Sequence, residues 1–174
     1  MLSNLLPPSV REAAYRKKFI ENNSENLFMG SFENFAAAEA GVPREKPVGY
    51  DNAEQAKGFY SNQVYSYDYP ALFWIGRSLD EGLRSVFDLG GHVGIKYYAF
   101  KRLLNYPEDL RWTVCDVPGV VKTGRELAAE KGVATQLSFS TDFRDASGFD
   151  VFYASGSLQY LPQRISEILG SLTV

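Results

Sequence analysis

The second half of the sequence alternates short apolar runs with longer segments of helical spacing, and this alternation limits the fold more than any other feature. Each apolar run ends at glycine, proline or polar residues, as buried strands do. The predicted strands are 85–89, 111–116, 134–140 and 149–154, and the predicted helices are 95–104, 119–131 and 162–172. Strands that alternate with helices pack as a parallel sheet, so the predicted fold class is α/β.

The residues before position 83 show a less regular pattern of helices and loops. The predicted helices there run from Ser9, as its N-cap, to Glu21, over 33–40 and over 71–83. We therefore expect two parts: a helical, loop-rich N-terminal extension over 1–82 and a sheet domain over 83–174.

Charge and composition exclude several classes of protein. The 174 residues carry 18 Lys and Arg against 21 Asp and Glu, and this net charge of -3 gives no basic surface for nucleic acid. The single Cys and single His cannot form a His/Cys metal cluster, and no metal site is predicted. The longest apolar run, 69–75, is too short to cross a bilayer, and the first residues lack a signal-peptide pattern. We expect a soluble, cytoplasmic protein without nucleic-acid or membrane partners.

A glycine-rich turn, DLGGHVG from Asp88 to Gly94, follows the first predicted strand. Glycines permit a sharp turn and a close approach of ligand to backbone, and the helix that follows offers free N–H groups. A dinucleotide fingerprint that starts at Gly90 requires glycine where His92 and Ile95 stand, which argues against an NAD-dependent oxidoreductase. An ordinary strand-to-helix turn remains the alternative interpretation.

An acid at a strand end, with glycines two and six residues later, resembles motif I of the class I S-adenosylmethionine-dependent methyltransferases, whose sheet is Rossmann-like. Asp88, Gly90 and Gly94 hold those positions, with Gly91 and His92 between them. The resemblance implies S-adenosyl-L-methionine as the cofactor, with this turn around its methionine part. His92 replaces the usual middle glycine, so it is either a general base for an acceptor hydroxyl, or a contact to the cofactor or the underside of the loop.

Two further strand ends resemble the same family. Asp116 and Val117 begin a segment similar to the Asp-Leu-Pro-x-Val of small-molecule O-methyltransferases, which implies that Asp116 accepts the ribose hydroxyls. Asp142 and Phe143 stand where the family's acid faces the adenine amino group and its aromatic ring packs on adenine. The alternatives are an acid that interacts with a helix dipole at Asp116 and a plain polar turn at Asp142.

The fourth predicted strand leads into a loop that, in the family, borders both cofactor and acceptor. Ser155 is expected on the cofactor side, and Gln159 and Tyr160 are expected on the acceptor side. Glutamine cannot act as a base, so a base, if one is needed, lies elsewhere. Tyr50 and Tyr60 of the N-terminal extension are candidates for a lid or acceptor wall, with core packing as their alternative.

The extension itself resembles the front end of a bacterial methyltransferase family of unassigned acceptor, whose genes often lie near surface-polysaccharide genes. The similar segments are FxGxF from Phe28, GYD from Gly49 and DYPALFW from Asp68. The resemblance implies transfer of a methyl group to an oxygen or nitrogen of a small-molecule or saccharide acceptor. A catalytically inactive, methyltransferase-like module for binding or assembly is the alternative.

The class I sheet has seven strands, and the sequence to Val174 predicts four. We therefore expect the cofactor-binding half of such a sheet, with the fourth strand at an edge. Unpaired N–H and C=O groups at that edge predict association into a homo-oligomer.

Overall fold

A computed structural model describes residues 7–22, 27–43, 56, 58 and 61–173. The chain divides into two compact units, Met1–Gly49 and Tyr50–Val174. The expected boundary between positions 82 and 83 falls inside the second unit, because the helix before it buries Leu72, Ile75 and Leu79 in the core of the sheet domain.

The first unit contains two helices, α1 (Pro8–Glu21) and α2 (Phe35–Ala40). The predicted N-cap of α1 was wrong: Ser9 lies inside the helix and Pro7 precedes it, because the fixed φ of Pro8 suits a first helical position. The side chain of Asn34 caps α2 by accepting a hydrogen bond of 2.9 Å from the amide of Ala37.

Four strands and four helices of the second unit have described bounds. In chain order they are α3 (Tyr69–Asp80), β1 (Ser85–Leu89), α4 (Ile95–Phe100), β2 (Arg111–Cys115), α5 (Pro118–Glu130), β3 (Leu137–Ser140), β4 (Val151–Ala154) and α6 (Ile165–Gly170). Short 3-10 turns lie at Ser66–Asp68, Phe143–Ala146 and Leu158–Tyr160. No helix in the described part of the chain is long and apolar enough to span a membrane.

All four strands form one parallel sheet in the order β3-β2-β1-β4, which confirms the predicted α/β class and its Rossmann-like arrangement. The strand order reverses at β1, whose residue Phe87 pairs with Thr113 of β2 on one side and Phe152 of β4 on the other. In sheets of this kind ligands bind beyond the carboxyl ends of the strands, at the point of reversal. The fold therefore directs attention to the turn after β1.

Both faces of the sheet are covered, and β1 is buried along its whole length. Val86 packs in the core beneath α3, α4 and α5, whereas Phe87 and Leu89 pack in a second core with Ile168 of α6. Alternate residues of one strand thus serve opposite faces, as the pleat of a strand requires. Asp88 lies within this buried strand and is only 1% exposed.

Several strands and helices are shorter than predicted. Strand β3 begins at Leu137 rather than 134, because the amides of Gln136 and Leu137 both donate to the carbonyl of Val133 and close a turn there. Helix α6 begins at Ile165 and excludes Pro162, which was expected in its first turn. Helix α4 ends at Phe100, and turns occupy the positions to 104 that were predicted to continue it.

Candidate functional site

The turn between β1 and α4 alternates left-handed backbone with ordinary backbone. Gly90 and Gly94 have φ of 78° and 89°, values that glycine adopts without a steric cost. His92 has φ of 57° and is the only described residue other than glycine with a positive φ. A left-handed histidine carries a conformational cost that glycine would avoid.

Gly91 and Asp88 lie in direct contact. A Cβ atom built on Gly91 would overlap the carboxylate of Asp88, although the φ of Gly91 is not left-handed. This position therefore requires glycine for space and not for conformation. The result is bare backbone directly over a buried carboxyl group.

The turn after β4 packs against the turn after β1. A Cβ on Gly90 would overlap the side chain of Ser157, whose hydroxyl donates a hydrogen bond of 2.5 Å to the carbonyl of Leu89. The glycine loop is thus fixed from one side by the chain that follows β4.

Asp116 fixes the loop from the other side. Its Oδ2 accepts a hydrogen bond of 2.9 Å from the amide of His92, and its Oδ1 accepts one of 2.8 Å from the amide of Val117. A carboxylate oxygen has two lone pairs, so each oxygen can still accept from a ligand hydroxyl. The ribose role of Asp116 stays a prediction, and a role in shaping the loop is added to it.

An open cavity of about 400 Å³ lies beside the loop. Of the predicted site residues, it brings together Asp88, Gly90, Gly91, His92 and Ser155. Its other described lining residues are Gly58, Ser61, Tyr65, Tyr67, Ile95 and Lys96. One predicted cofactor residue from the loop after β4 thus shares a cavity with those from the loop after β1.

Asp142 and Phe143 do not line this cavity. Asp142 caps the 3-10 turn Phe143–Ala146 by accepting a 2.9 Å hydrogen bond from the amide of Arg144. The guanidinium of Arg144 lies 5.1 Å from the centre of the Phe143 ring. Their adenine roles remain predictions, and an adenine on that face of Phe143 would have to displace Arg144.

Asp142 nevertheless lies at the same end of the sheet as Asp116. Burial, together with the smaller effects of the charges of Asp116, Asp142 and Asp145, raises the pKa of the Cys115 thiol to about 12. Three carboxylates therefore surround the last residue of β2, at the edge where a ribose and a base were expected. Cys115 is a small buried core residue.

Gln159 and Tyr160, the predicted acceptor-side residues, are exposed and lie outside the cavity lining. The side-chain amide of Gln159 donates a hydrogen bond of 2.7 Å to the carbonyl of Gly156 and so stabilises its own turn. Tyr50 and Tyr60 lie outside the described residues, and their lid or acceptor role stays a prediction.

Burial controls the charge of both titratable groups of the loop. The pKa of Asp88 is raised to about 7, mainly by burial and also by the charge of Asp116, against the opposing effects of the indole N–H of Trp112 at 3.3 Å and the charge of Lys96. Burial lowers the pKa of His92, against the smaller opposite effect of Asp116. Near neutral pH the imidazole is therefore uncharged, while Asp88 is divided between its acid and its carboxylate.

Tyr65, Tyr67 and Lys96 also line the cavity, and none of the three was predicted from the sequence as a site residue. The ammonium of Lys96 binds Asp68, which is only 1% exposed. A lysine two residues after Gly94 was the available signal, since it places a cation in the first turn beyond the loop. Asp68, the partner of Lys96, holds the N-cap position of α3, yet its side chain accepts no hydrogen bond from an amide of that helix.

The solved structures to which the chain is similar include several methyltransferases. The chain is 25% identical to the mitomycin 7-O-methyltransferase MmcR over 51% of this chain and 27% of that one, with a TM-score of 0.38. It is 21% identical to a SAM-dependent methyltransferase of Geobacter sulfurreducens in complex with S-adenosyl-L-homocysteine, over 70% of this chain and 49% of that one, with a TM-score of 0.43.

A third similar structure is an O-methyltransferase from neocarzinostatin biosynthesis, in complex with S-adenosylmethionine and 2-hydroxy-5-methyl naphthoic acid. It is 21% identical over 47% of this chain and 29% of that one, with a TM-score of 0.34. The chain thus spans between about a quarter and a half of the length of these three proteins. No family model matches the sequence, and no curated protein matches it.

The residues of this site fit S-adenosylmethionine. Gly91 leaves room for the carboxyl group of Asp88, and both residues line the cavity. A carboxylate suits the ammonium and sulfonium charges of the methionine part. Asp116 keeps lone pairs for ribose hydroxyls. The fit rests on the donor and acceptor set of the loop and on the space beside it.

Proposed function

We propose that this chain binds S-adenosyl-L-methionine in the cavity beside the glycine loop and that it serves methyl transfer to an oxygen or nitrogen of a small-molecule or saccharide acceptor. The observation that carries the proposal is the junction of the loop after β1 with Asp116 after β2, formed by the 2.9 Å hydrogen bond from His92. It places a glycine loop and a strand-end acid together at the reversal point of a parallel sheet, where ligands bind.

Several predicted cofactor residues have a defined task in this proposal. Gly91 lines the space for the methionine part and leaves room for the carboxyl group of Asp88, which faces the positive charges of that part. Asp116 accepts the ribose hydroxyls with its remaining lone pairs, and Asp142 and Phe143 receive the adenine. The cofactor supplies an activated methyl group when it is bound. Displacement of that group depends mainly on orientation and on the exclusion of water, so the protein's contribution is to position the reactants.

Ser155 is assigned to the cofactor side, where it lines the cavity beside the glycine loop. The acceptor side is assigned to Gln159 and Tyr160 and to the N-terminal extension with Tyr50 and Tyr60. Similarity of the extension to a bacterial family near surface-polysaccharide genes favours a saccharide acceptor. No general base is assigned except His92, whose imidazole lines the cavity and is uncharged near neutral pH because burial lowers its pKa. An uncharged imidazole can accept a proton from an acceptor hydroxyl.

A binding or assembly module without turnover is the second candidate. Gln159 and Tyr160 lie outside the cavity, so the loop after β4 contributes only Ser155 to the described lining and no general base. The transferase and the binding module differ in whether S-adenosylhomocysteine is formed. Purified protein incubated with S-adenosylmethionine and separate pools of phenols, amines and monosaccharides should form S-adenosylhomocysteine above the level of Asp116→Ala if it is a transferase. Tight cofactor binding with no such product would favour the module.

The outer edge of β4 is proposed as an association surface. Within the described residues β4 pairs only with β1, so its other edge offers backbone N–H and C=O groups. Size-exclusion chromatography over a range of concentrations tests this proposal. Growth of the particle with concentration supports it, and a strict monomer at high concentration contradicts it.

A further inference from the structure

A buried ion pair joins the turn before α3 to the first turn of α4. The ammonium of Lys96 lies 2.7 Å from Oδ1 and 2.8 Å from Oδ2 of Asp68, so the contact is to both oxygens. Asp68 is 1% exposed and the side chain of Lys96 is 15% exposed. The two residues are 28 positions apart in sequence, so the pair closes a long loop of chain.

The same two residues organise a pair of tyrosines, and residues 65–68 are called the tyrosine wall below. The amide of Tyr65 donates a 3.0 Å hydrogen bond to Oδ2 of Asp68. The rings of Tyr65 and Tyr67 stack with centres 5.3 Å apart and planes within 10°. The ammonium of Lys96 lies 5.8 and 5.5 Å from their centres, within the range of a cation–π contact.

The two tyrosines of the tyrosine wall line the candidate cavity. Tyr65, Tyr67 and Lys96 line the same cavity as Gly90 and Gly91, whereas Asp68 lies behind the lysine and is not part of the lining. A buried ion pair is seldom more stable than apolar side chains of the same volume. Fold stability alone therefore does not explain why a charged pair lies here. Its location beside the cavity suggests that the charges serve ligand binding.

Charge balance supplies that reason. Lys96 is the only Lys or Arg among the described lining residues, and His92 is uncharged near neutral pH because burial lowers its pKa. A cationic sulfonium next to an uncompensated ammonium would be repelled. The carboxylate of Asp68, in contact with the ammonium, cancels that repulsion.

We propose that Asp68 and Lys96 are positioning residues whose ion pair holds the tyrosine wall against the glycine loop and neutralises the lysine, so that the cavity admits a cationic ligand. The charge part of this inference rests on the proposed function, because it takes the sulfonium of S-adenosylmethionine as that cation. The positional part does not depend on any ligand.

Hydrogen exchange measured by NMR or mass spectrometry tests the positional part. Lys96→Met keeps the aliphatic stem and removes the charge, so exchange of the Tyr65 amide should accelerate about tenfold or more while β1 and β2 stay protected. Lys96→Arg should restore protection, since arginine also binds both carboxylate oxygens. Unchanged exchange in Lys96→Met overturns this part.

Lys101→Met is the matched control. Its ammonium also lies over a tyrosine ring, 5.5 Å from the centre of Tyr97, but it does not line the cavity. It should leave the exchange of the Tyr65 amide as in the parent chain. Equal acceleration in Lys96→Met and Lys101→Met would show a general loss of stability and would overturn the inference.

Calorimetric titrations with S-adenosylmethionine and S-adenosylhomocysteine test the charge part, because only the first carries the sulfonium. Asp68→Asn should weaken the binding of S-adenosylmethionine more than the binding of S-adenosylhomocysteine, by about threefold or more. Lys96→Met should shift the ratio of the two dissociation constants in the opposite direction. Equal effects on both ligands in both variants overturn it. If Asp68→Asn does not fold, Lys96→Met alone decides the sign.

The two claims fail separately. A parent chain that binds neither ligand contradicts the proposed function together with the charge part, and the exchange result still decides the positional part. A parent chain that binds both ligands, with an unchanged ratio in every variant, supports the proposed function and contradicts the charge part.

Discussion

The backbone amide of His92 donates a hydrogen bond of 2.9 Å to Oδ2 of Asp116, across the gap between the turns that follow β1 and β2. This contact ties the conformation of the glycine loop to the acid expected to hold a ribose. Loss of that carboxylate therefore removes two things at once, a ligand contact and a support of the loop.

Asp116→Ala should lower the affinity for S-adenosylhomocysteine by about tenfold or more, since a hydrogen bond to a charged group contributes about 1.5–3 kcal/mol. Calorimetry at constant pH measures the change. Asp109→Ala is the control, because Asp109 is an exposed acid that pairs with Arg84 and does not line the cavity. Retained affinity in Asp116→Ala would remove Asp116 from the site.

Gly91→Ala should destabilise the loop and weaken cofactor binding, because its Cβ would overlap the carboxylate of Asp88. Overpacking of this kind typically costs about 1–3 kcal/mol. Denaturant unfolding and a ligand titration measure the two effects. Gly170→Ala in α6 is the matched control, since a Cβ there meets no atom within 4 Å, and it should be neutral or stabilising. The same small effect at both positions would refute the close contact.

The raised pKa of Asp88, about 7 against an ordinary 3.8, predicts a dependence of stability on pH. Between these two values the unfolded chain has lost the proton and the folded chain keeps it, so the free energy of unfolding falls as the pH rises from about 4 to about 7. Asp88→Asn cannot ionise and still offers an oxygen to the indole of Trp112.

The difference in unfolding free energy between Asp88→Asn and the parent chain should therefore grow in favour of the variant from pH 4.5 to pH 8. Thermal or denaturant unfolding at several pH values gives this difference. A constant difference across the range would show that Asp88 titrates normally.

His92 separates a backbone role from a side-chain role. Because its φ is 57°, His92→Gly relieves left-handed strain and His92→Ala does not, so the glycine variant should be about 1 kcal/mol more stable than the alanine variant. Both keep the amide that binds Asp116, so both should keep cofactor affinity. Unfolding and titration of the two variants measure these effects, and greater stability of the alanine variant would contradict the left-handed conformation.

Asp150 provides a prediction away from the site, at the amino ends of the strands. Its Oδ2 accepts hydrogen bonds from the amides of Arg84 and Ser85 and from the Ser85 hydroxyl at 2.7–2.9 Å. Hydrogen bonds from the Arg84 amide and the Ser85 side chain hold the pKa of this carboxyl below its ordinary value of 3.8.

The stability that Asp150 contributes is present above the ordinary aspartate pKa and is lost as the pH falls through the lower folded value. Asp150→Asn should thus destabilise the fold at pH 7. The difference in the free energy of unfolding between the variant and the parent chain should become smaller below about pH 4, and cofactor affinity should not change. Unfolding midpoints at neutral and acid pH, with one ligand titration, check both. A lower ligand affinity in Asp150→Asn would contradict this prediction and place Asp150 in the functional site.

The sequence predicted the sheet well because local signals determine it. The bounds of β1 at Ser85–Leu89 are confirmed, and the glycine loop follows where the spacing of Gly90 and Gly94 placed it. The starts of β3 and α6 lie later than predicted, because a turn closes at the carbonyl of Val133 and because α6 begins only at Ile165. Local propensity does not contain that information.

The candidate site was predictable only where it follows a strand. Gly91 and Asp116 lie at strand ends, so the sheet itself brings them to one edge. Lys96 and Asp68 meet across 28 positions through a turn that no strand positions, and no periodicity links them. The mutual arrangement of Phe143 and Arg144 likewise depends on a side-chain contact that the sequence leaves open.

Isothermal titration of the purified chain with S-adenosylhomocysteine, in parallel with NADH, tests the central claim most directly. Saturable one-to-one binding of S-adenosylhomocysteine that weakens in both Asp116→Ala and Gly91→Ala, with no heat from NADH, is the predicted result. The absence of S-adenosylhomocysteine binding by a folded chain, or binding that both variants leave unchanged, would contradict the assignment of the cavity beside the glycine loop.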